Sequence, residues 1–388
     1  MARDQRHQPA PVTLPRVAGM LEAMGYAFYR LPERLLIPWR GHTLIIYIAR
    51  PAGVARCLSF LVSLRERWER ESSPALADVL RAWNHERLGP ALSFRLASDG
   101  RLVVHGRLAA PVDQGLTDPQ LRDIVETAIS AGQLAASEVP ASPPPVAPTG
   151  DVEGDSATLL GYEAQALALP LDDLAAEDAT GPAPSPEAGP PRRAADERRV
   201  LGELDDFPEL DALADRLESE NRAKAPRAGE AGASPIEEAP GSGAPRAVSV
   251  PRLASSLGDL SVTQLPGSGD IVLAWINGIL VSIYVDNGPS LLIKAHWDPS
   301  PERELSALRG ELVCNDWTLR SGLVKAYCLP AGSSVKVRAE YTVPVDGGRT
   351  DQQLALDAAT GINQVLVCLD EVSRQACGVS AVNWPGAN

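Results

Sequence analysis

The stretch DIVLAWINGILVSIYVDNGPSLLIKAHW, residues 270–297, is the most apolar part of the chain and decides its fold. No charged residue occurs from Ile271 to Val285, but this run is shorter than the ~20 apolar residues that a membrane-spanning helix needs. Asn277-Gly278 interrupts the run, and Asn-Gly supplies the two positive-φ residues of a type I′ turn between antiparallel strands. The stretch therefore predicts a folded β-hairpin and no membrane insertion.

A second turn signal, Asp286-Asn287-Gly288, follows one strand length later. Together the two turns predict a three-stranded antiparallel meander over about 271–276, 279–285 and 290–297.

The charge of the chain divides it into three parts. Residues 1–137 contain 17 Arg, no Lys and 13 acidic residues, whereas residues 251–388 contain 10 basic and 14 acidic residues. Residues 138–250 hold 23 acidic and 9 basic residues and are rich in Pro, Ala and Gly. Such a composition buries too little apolar surface to offset the entropy of ordering. We therefore expect two folded modules, 1–137 and 251–388, joined by a mostly disordered acidic linker, 138–250.

An internal repeat relates the two modules. PVDQGLTDPQL at 111–121 recurs as PVDGGRTDQQL at 344–354, and PRVAGML at 15–21 recurs as PRLASSL at 251–257. The spacing is 233 residues for the first pair and 236 for the second, so whole modules are duplicated. The hydrophobic periods between these anchors predict the same order in both copies, α-β-β-β-α-β-β-α with an antiparallel sheet.

The last helix of each module has a clear start signal. Thr117 with Gln120, and Thr350 with Gln353, have the spacing of a capping box. The Asp residues of the repeated VDxGxTD motif could be drawn as a cation site, but turn formation and helix capping explain them better. Near the end of the second helix, Trp83-Asn84 aligns with Cys314-Asn315 in the second copy.

This order of elements, the Trp83-Asn84 pair and the PVDxGxTDxQL entry to the last helix resemble the YbjN domain family, in two tandem copies. The resemblance implies the fold of type III secretion chaperones, in a bacterial protein with regulatory or partner-binding behaviour. It brings no catalytic residues. Because such chaperones are typically dimers, it also implies that the two modules pair with each other as a pseudo-dimer.

No constellation in the sequence supports catalysis, a metal or a cofactor. His42, His85 and His105 lie on different predicted elements, and the five cysteines lack CxxC spacing. The acidic middle of the chain argues against nucleic acid as a partner, because phosphate binding needs concentrated cations. The N-terminal residues lack the apolar core of a secretion signal, so we expect a cytoplasmic protein.

The function that we predict is non-enzymatic: a protein-binding regulator or chaperone-like adaptor that holds a polypeptide partner. Two alternatives stay open: an enzyme whose site is assembled from distant residues, and a purely structural pair of modules. The candidate partner-binding residues are two tryptophans beside the meander and three leucines that share one helical face in the linker: Trp275, Trp297, Leu210, Leu213 and Leu217.

Overall fold

The computed structural model describes two folded modules. The described residues are 8–39, 41–50, 54–97, 100–141, 243–260, 262–265, 270–286, 290–299, 305, 307–321, 323–331 and 334–385. Module 1 (8–141) contains α1 (Leu14–Ala23), β1 (Tyr29–Leu31), β2 (Arg34–Pro38), β3 (His42–Ala49), β4 (Cys57–Leu64), α2 (Ser73–Glu86), β5 (Ala91–Leu96), β6 (Leu102–Pro111) and α3 (Asp118–Glu138).

Module 2 (243–385) repeats this order. It contains α4 (Val250–Asp259), β7 (Gln264–Leu265), β8 (Ile271–Ile276), β9 (Ile279–Asp286), β10 (Ser290–Trp297), α5 (Ala307–Arg320), β11 (Val324–Ala331), β12 (Ser334–Pro344) and α6 (Asp351–Cys377). The α+β class and the two-module organisation agree with the sequence prediction.

The meander of residues 270–297 forms as predicted. Asn277 has φ +51° and Gly278 has φ +81°, the two left-handed residues of a type I′ turn, and Ile276 pairs with Ile279 across it. β9 and β10 also pair antiparallel, with Asp286 opposite Ser290. The expected turn between them, at 287–289, lies outside the described residues.

Each module builds one six-stranded antiparallel sheet. The strand order is β1-β2-β3-β4-β6-β5 in module 1, and β7-β8-β9-β10-β12-β11 in module 2. The short first strands β1 and β7 add one element to the predicted order. They are only three and two residues long, too short for a period-2 pattern to reveal them.

One face of each sheet, here called the inner face, carries the core. Val62 on β4 lies beside Gly132 of α3, where an added Cβ would be 3.2 Å from the valine. In module 2, a Cβ added at Gly361 of α6 would lie 2.4 Å from Ile293 and 2.7 Å from Tyr341. The helix therefore approaches the sheet at these glycines closely enough to exclude a side chain.

The folded modules extend into both ends of the expected linker range, 138–250. Val139 is 1% exposed and packs in the core of module 1. Arg246 pairs its backbone with Arg349 in module 2, as Ala10 pairs with Leu116 in module 1. The remaining positions 142–242 lie outside the described residues, so the expected disorder of this segment stays a prediction.

The alignment of the second helices differs from the sequence prediction. Trp83 Nε1 donates to the carbonyl of Pro90 at 2.8 Å, and Trp317 Nε1 donates in the same way to Val324 at 3.3 Å. Trp317, not Cys314, is thus the counterpart of Trp83. The expected equivalence of Asn84 and Asn315 is wrong by three residues, nearly one helical turn, which sequence periodicity alone resolves poorly.

Candidate protein-binding surface and the seam between the modules

The two repeated sequence motifs meet in space within each module. The Arg16 guanidinium donates to Asp118 Oδ1 at 2.7 Å, and to the carbonyls of Ala10 and Leu116 at 2.8 Å each. The arginine of the PRxA motif therefore fixes the entry to α3, and Thr117 caps that helix in a complete capping box.

Module 2 repeats the contact residue for residue. Arg252 donates to Asp351 Oδ1 at 2.7 Å and to the carbonyls of Arg246 and Arg349 at 2.9 and 3.0 Å. Arg246 adds a second ion pair to Asp351 at 2.8 Å, and the arginine side chains hold the pKa of Asp351 below its usual range.

Contacts of this kind engage three of the four aspartates in the two VDxGxTD motifs. Asp118 and Asp351 are engaged by arginines, and Asp113 accepts from the backbone N–H of Arg56 at 2.9 Å. Among the described residues, no group of three or more His, Cys, Asp or Glu side chains is placed to hold a metal ion.

The helix entries also contact each other across the seam, the set of contacts between module 1 and module 2. Gln120 Nε2 donates to the carbonyl of Gly348 at 2.7 Å, and Gln353 Nε2 donates to the carbonyl of Gly115 at 2.8 Å. The two amides also bond to each other, Gln120 Nε2 to Gln353 Oε1, at 2.9 Å. Both side chains are buried, and each Oε1 still accepts from the capping threonine's N–H of its own helix. The capping box was predicted, but the reciprocal contact was not.

The second helices form another part of the seam. Arg81 of α2 pairs with Glu311 of α5 at 3.0 Å, and Asn315 of α5 bonds both the N–H and the carbonyl of Phe94 at 2.9 Å. Asn84 bonds the N–H and the carbonyl of Leu92 at 2.9 and 2.7 Å. Two asparagines, one from each module, thus provide hydrogen-bond partners for backbone groups on the outer edge of β5.

A small cavity lies between these elements. Its volume is about 30 Å³, and its lining includes Arg81, Glu311, Cys314 and Cys328. Burial raises the pKa of Glu311 despite the opposing charge of Arg81. The cavity has room for one or two water molecules, so it does not constitute a small-molecule site.

The outer faces of the sheets, opposite the inner faces, meet at the seam as well. Ala91 of β5 packs with Tyr284 of β9 and Leu292 of β10 in one apolar cluster. The ring of Tyr327 lies edge-on to His85 of module 1, with centroids 5.7 Å apart.

A buried charge cluster lies on the outer face of module 2. Glu340 Oε1 pairs with Lys294 at 3.0 Å, while Glu340 also pairs with Lys325 and accepts from the Tyr327 hydroxyl. Each of the four side chains is at most 2% exposed. Burial opposes ionisation of Glu340, but the charges of Lys294 and Lys325 outweigh it, so the pKa of this carboxyl is lowered.

The candidate partner-binding residues have different environments. Trp275, on the outer face of β8, is 48% exposed, whereas Trp297 is 8% exposed and packs in the core. Trp297 is therefore not part of an open surface. The leucines at 210, 213 and 217 lie outside the described residues.

The surroundings of Trp275 are half-open. Leu280 lies opposite Trp275 on the neighbouring strand, and His296 lies opposite Leu280 on the strand after that. Both side chains are partly exposed. When the paired strands of the two modules are aligned, Pro38 occupies the position in module 1 that Trp275 occupies in module 2. The exposed tryptophan therefore distinguishes module 2 from module 1. Module 1 instead exposes Tyr29 and Leu31 on its edge strand β1.

His42 and four of the five cysteines lie in the interior of the described structure. The five cysteines, all within the described residues, form no disulfide with one another, and all except Cys377 are buried. His42 stacks on Trp39 with ring centroids 4.8 Å apart, and burial together with Arg65 lowers the pKa of His42 to about 4. Within the described ranges, no helix is both long enough and apolar enough to span a membrane.

Comparison with known proteins identifies a relative of module 1. Residues 13–140 match the YbjN family, described as "Putative bacterial sensory transduction regulator". Module 2 lies outside the matched range. A similar solved structure is the "Crystal structure of YbjN, a putative transcription regulator from E. coli", with 16% sequence identity and a TM-score of 0.29. That similarity covers 35% of this chain and 98% of the other. No curated protein matches the chain.

Proposed function

We propose that this chain is a non-enzymatic regulator or chaperone-like adaptor that holds a polypeptide partner. The observation that carries the proposal is the exposure of Trp275, the largest exposed apolar side chain of the described residues, beside the partly exposed Leu280. Exposed aromatic side chains next to apolar neighbours are typical of protein-binding surfaces. The regulatory description of the family matched by module 1 supports the same class of function.

We also propose that the two modules pair in solution as a pseudo-symmetric dimer within one chain, in the manner of secretion chaperones. The reciprocal bonds of Gln120 and Gln353 support this pairing, and so does the packing of Ala91 against Tyr284. A connection of about 100 residues has an r.m.s. span of about 50 to 60 Å if flexible, so it permits the pairing.

The linker leucines are a further proposed contact. Leu210, Leu213 and Leu217 would share one face of a helix, which could dock on a module or on the partner. Fully burying a leucine contributes about 1.5 to 3 kcal/mol, so three partly buried leucines would suffice for a weak docking contact.

Quantitative co-purification from the native host tests the partner-binding proposal. We expect Trp275→Ser to reduce recovery of the partner several-fold, because truncating a central aromatic contact typically costs about 2 kcal/mol or more. Leu134→Ser, at an exposed leucine on α3, is the matched control and should recover the partner as the parent does. Equal recovery with Trp275→Ser and the parent would contradict the proposal for this surface.

The triple replacement of Leu210, Leu213 and Leu217 by Ser tests the linker contact in the same assay. A change in partner recovery, or in hydrogen exchange of 198–222, is expected. If neither changes, these leucines do not dock.

A further inference from the structure

Asp123 of α3 lies at the seam, close to one helical turn beyond Gln120. Residues three apart share a face of a helix, so Asp123 faces the same part of module 2 as the amide of Gln120. That part is the turn at 345–348. A Cβ added at Gly347 would lie 2.9 to 3.1 Å from three atoms of Gln120, so the turn and the helix are in direct contact.

The carboxyl group of Asp123 lacks a partner on one side. Its Oδ2 atom is buried and makes no hydrogen bond with any described residue. A charged carboxylate oxygen in such a place has lost water without gaining a donor, which is unfavourable. Burial is accordingly the largest influence on this group, and it raises the pKa of Asp123.

A second carboxyl group adds to this effect. The charge of Asp346, in the turn, raises the pKa of Asp123 further, because two negative charges repel each other. The backbone N–H groups of Asp346 and Gly347 and the charge of Arg349 act in the opposite direction, but the net change in the pKa is upward. Asp346 is exposed and Asp123 is half-buried, so the loss of hydration concerns Asp123.

The cations around this pair are engaged by other carboxylates. Arg349 donates to Asp357 at 2.8 Å, and both of these side chains are at most 4% exposed. On α3 itself, Arg122 pairs with Glu126 at 3.3 Å. Neither arginine is therefore an ion-pair partner of Asp123.

The pair of carboxyl groups is an asymmetric feature of the seam. In module 2, 233 residues along the chain, Leu356 stands at the position of Asp123. The turn of module 1, which has Asp113 at the position of Asp346, therefore meets no carboxyl group from this position of α6. Only the turn of module 2 faces an acidic residue of the other module's last helix at this position.

From these observations we infer that Asp123 is a proton-binding group through which acid strengthens the pairing of the modules. The proton removes the charge from a buried group whose Oδ2 has no donor, and it ends the repulsion between Asp123 and Asp346. In separated modules Asp123 would return to water, where it binds a proton less readily.

The sign of the pH dependence follows from this difference. The stabilisation is complete below the ordinary pKa of aspartate, about 3.9, and is lost as the pH rises through the higher pKa that Asp123 has in the paired modules. The inference rests on the proposed pairing of the modules.

Carbon-13 magnetic resonance of the side-chain carboxyl groups in the full chain measures the proton directly. We expect the Asp123 carboxyl to titrate above the ordinary range of aspartate, and Asp346→Asn to lower its midpoint, because the repelling charge is removed. Glu126→Gln, on the exposed face of α3, is the control and should lower the midpoint less. A midpoint in the ordinary range, or an equal effect of the two replacements, would overturn the inference.

The effect on pairing is measured on the full-length protein after a specific protease has cut it within 142–242. Between pH 7.5 and 4.5, the dissociation constant of the two halves should fall at least about threefold more in the parent than in Asp123→Asn, whose side chain is uncharged throughout. The comparison with this variant is needed because burial also raises the pKa of Glu311, another carboxyl group of the seam.

The result separates this inference from the pairing on which it rests. Halves that associate with the same pH dependence in the parent and in Asp123→Asn would overturn the inference and leave the pairing in place. Halves that fail to associate at every pH would overturn both.

Discussion

The side-chain amides of Gln120 and Gln353 hydrogen-bond to each other at 2.9 Å, although 233 positions separate them in the chain. Each also bonds the glycine carbonyl of the opposite helix entry and the capping threonine of its own helix. One residue type at one repeated position therefore caps a helix and joins the modules.

Replacing either glutamine should destabilise the protein. Gln120→Ala leaves the buried Gly348 carbonyl and the Thr117 N–H without this partner, at a cost of about 1 to 3 kcal/mol. The double variant with Gln353→Ala should lose less than the sum of the single losses, because the two amides share a bond. Urea unfolding of the full chain measures these losses. Gln133→Ala, at an exposed position of α3, is the control. A loss of stability in Gln120→Ala as small as that in Gln133→Ala would contradict the prediction.

The pairing of the modules can be tested by cutting the chain. A specific protease site placed within 142–242 divides the full-length protein after it has folded. We expect the two halves to elute together in gel filtration, and Asn315→Ala combined with the two glutamine replacements to promote their separation. Halves that separate at high micromolar concentration without any replacement would refute the pairing.

The buried charge cluster of module 2 should respond differently to one change and to three. Glu340→Gln leaves the buried ammonium groups of Lys294 and Lys325 without a counter-charge, so we expect a loss of about 3 to 5 kcal/mol. Adding Lys294→Met and Lys325→Met removes the stranded charges and should recover most of that loss. Unfolding free energies of the full chain decide the matter, and a loss below about 1 kcal/mol for Glu340→Gln would contradict the expectation.

The two tryptophans of the meander should differ in their contribution to stability. Trp297→Ala creates a cavity in the core and should cost about 3 to 5 kcal/mol. Trp275→Ala removes a half-exposed ring and should cost less than about 1 kcal/mol. Thermal unfolding followed by near-ultraviolet circular dichroism compares them, and similar losses would show that the burial of one ring is misassigned.

Stability should fall between pH 6.5 and 4 in part because of His42. The pKa of His42 is about 4 in the folded state, below the ordinary 6.5, so the unfolded chain binds more protons in this range. Stability from the neutral ring is present above pH 6.5 and is lost as the pH falls toward 4. We expect the parent to lose about 2 to 3 kcal/mol more than His42→Phe between pH 7.5 and 4.5, as measured by urea unfolding. Identical pH profiles of the two chains would exclude this contribution.

Local signals in the sequence predicted much of the fold. Asn277-Gly278 predicted the hairpin, and Thr117 and Thr350 predicted the two capping boxes, because these features depend on residues close together in the chain. The sequence alignment of the two second helices was wrong by three residues, because it paired Trp83 with Cys314 and not with Trp317. The correct alignment follows from hydrogen bonds of the two tryptophans to strand carbonyls, which the helical period does not reveal.

The buried charge cluster of module 2 and the burial of Trp297 were beyond sequence reasoning. Lys294, Lys325 and Glu340 occur on three different strands, and in the sequence each reads as an ordinary polar position of a half-buried strand. Similarly, Trp297 has the same residue type and a similar predicted position as Trp275, and only tertiary packing separates the buried ring from the exposed one.

The ion pair between Arg81 and Glu311 has a consequence for which modules can pair. Asn315 of module 2 corresponds to Arg81 of module 1, and Ala77 of module 1 corresponds to Glu311 of module 2. The two members of each corresponding pair are 234 positions apart in the chain. In a dimer of identical subunits, a substitution near the twofold axis appears on both sides of the interface at once. Two copies of module 1 would therefore place Arg81 opposite Ala77 and form no ion pair there. Two modules in one chain are free of that restriction, because their sequences can differ. The contact between Arg81 and Glu311 therefore favours the pairing of unlike modules over the pairing of two copies of module 1.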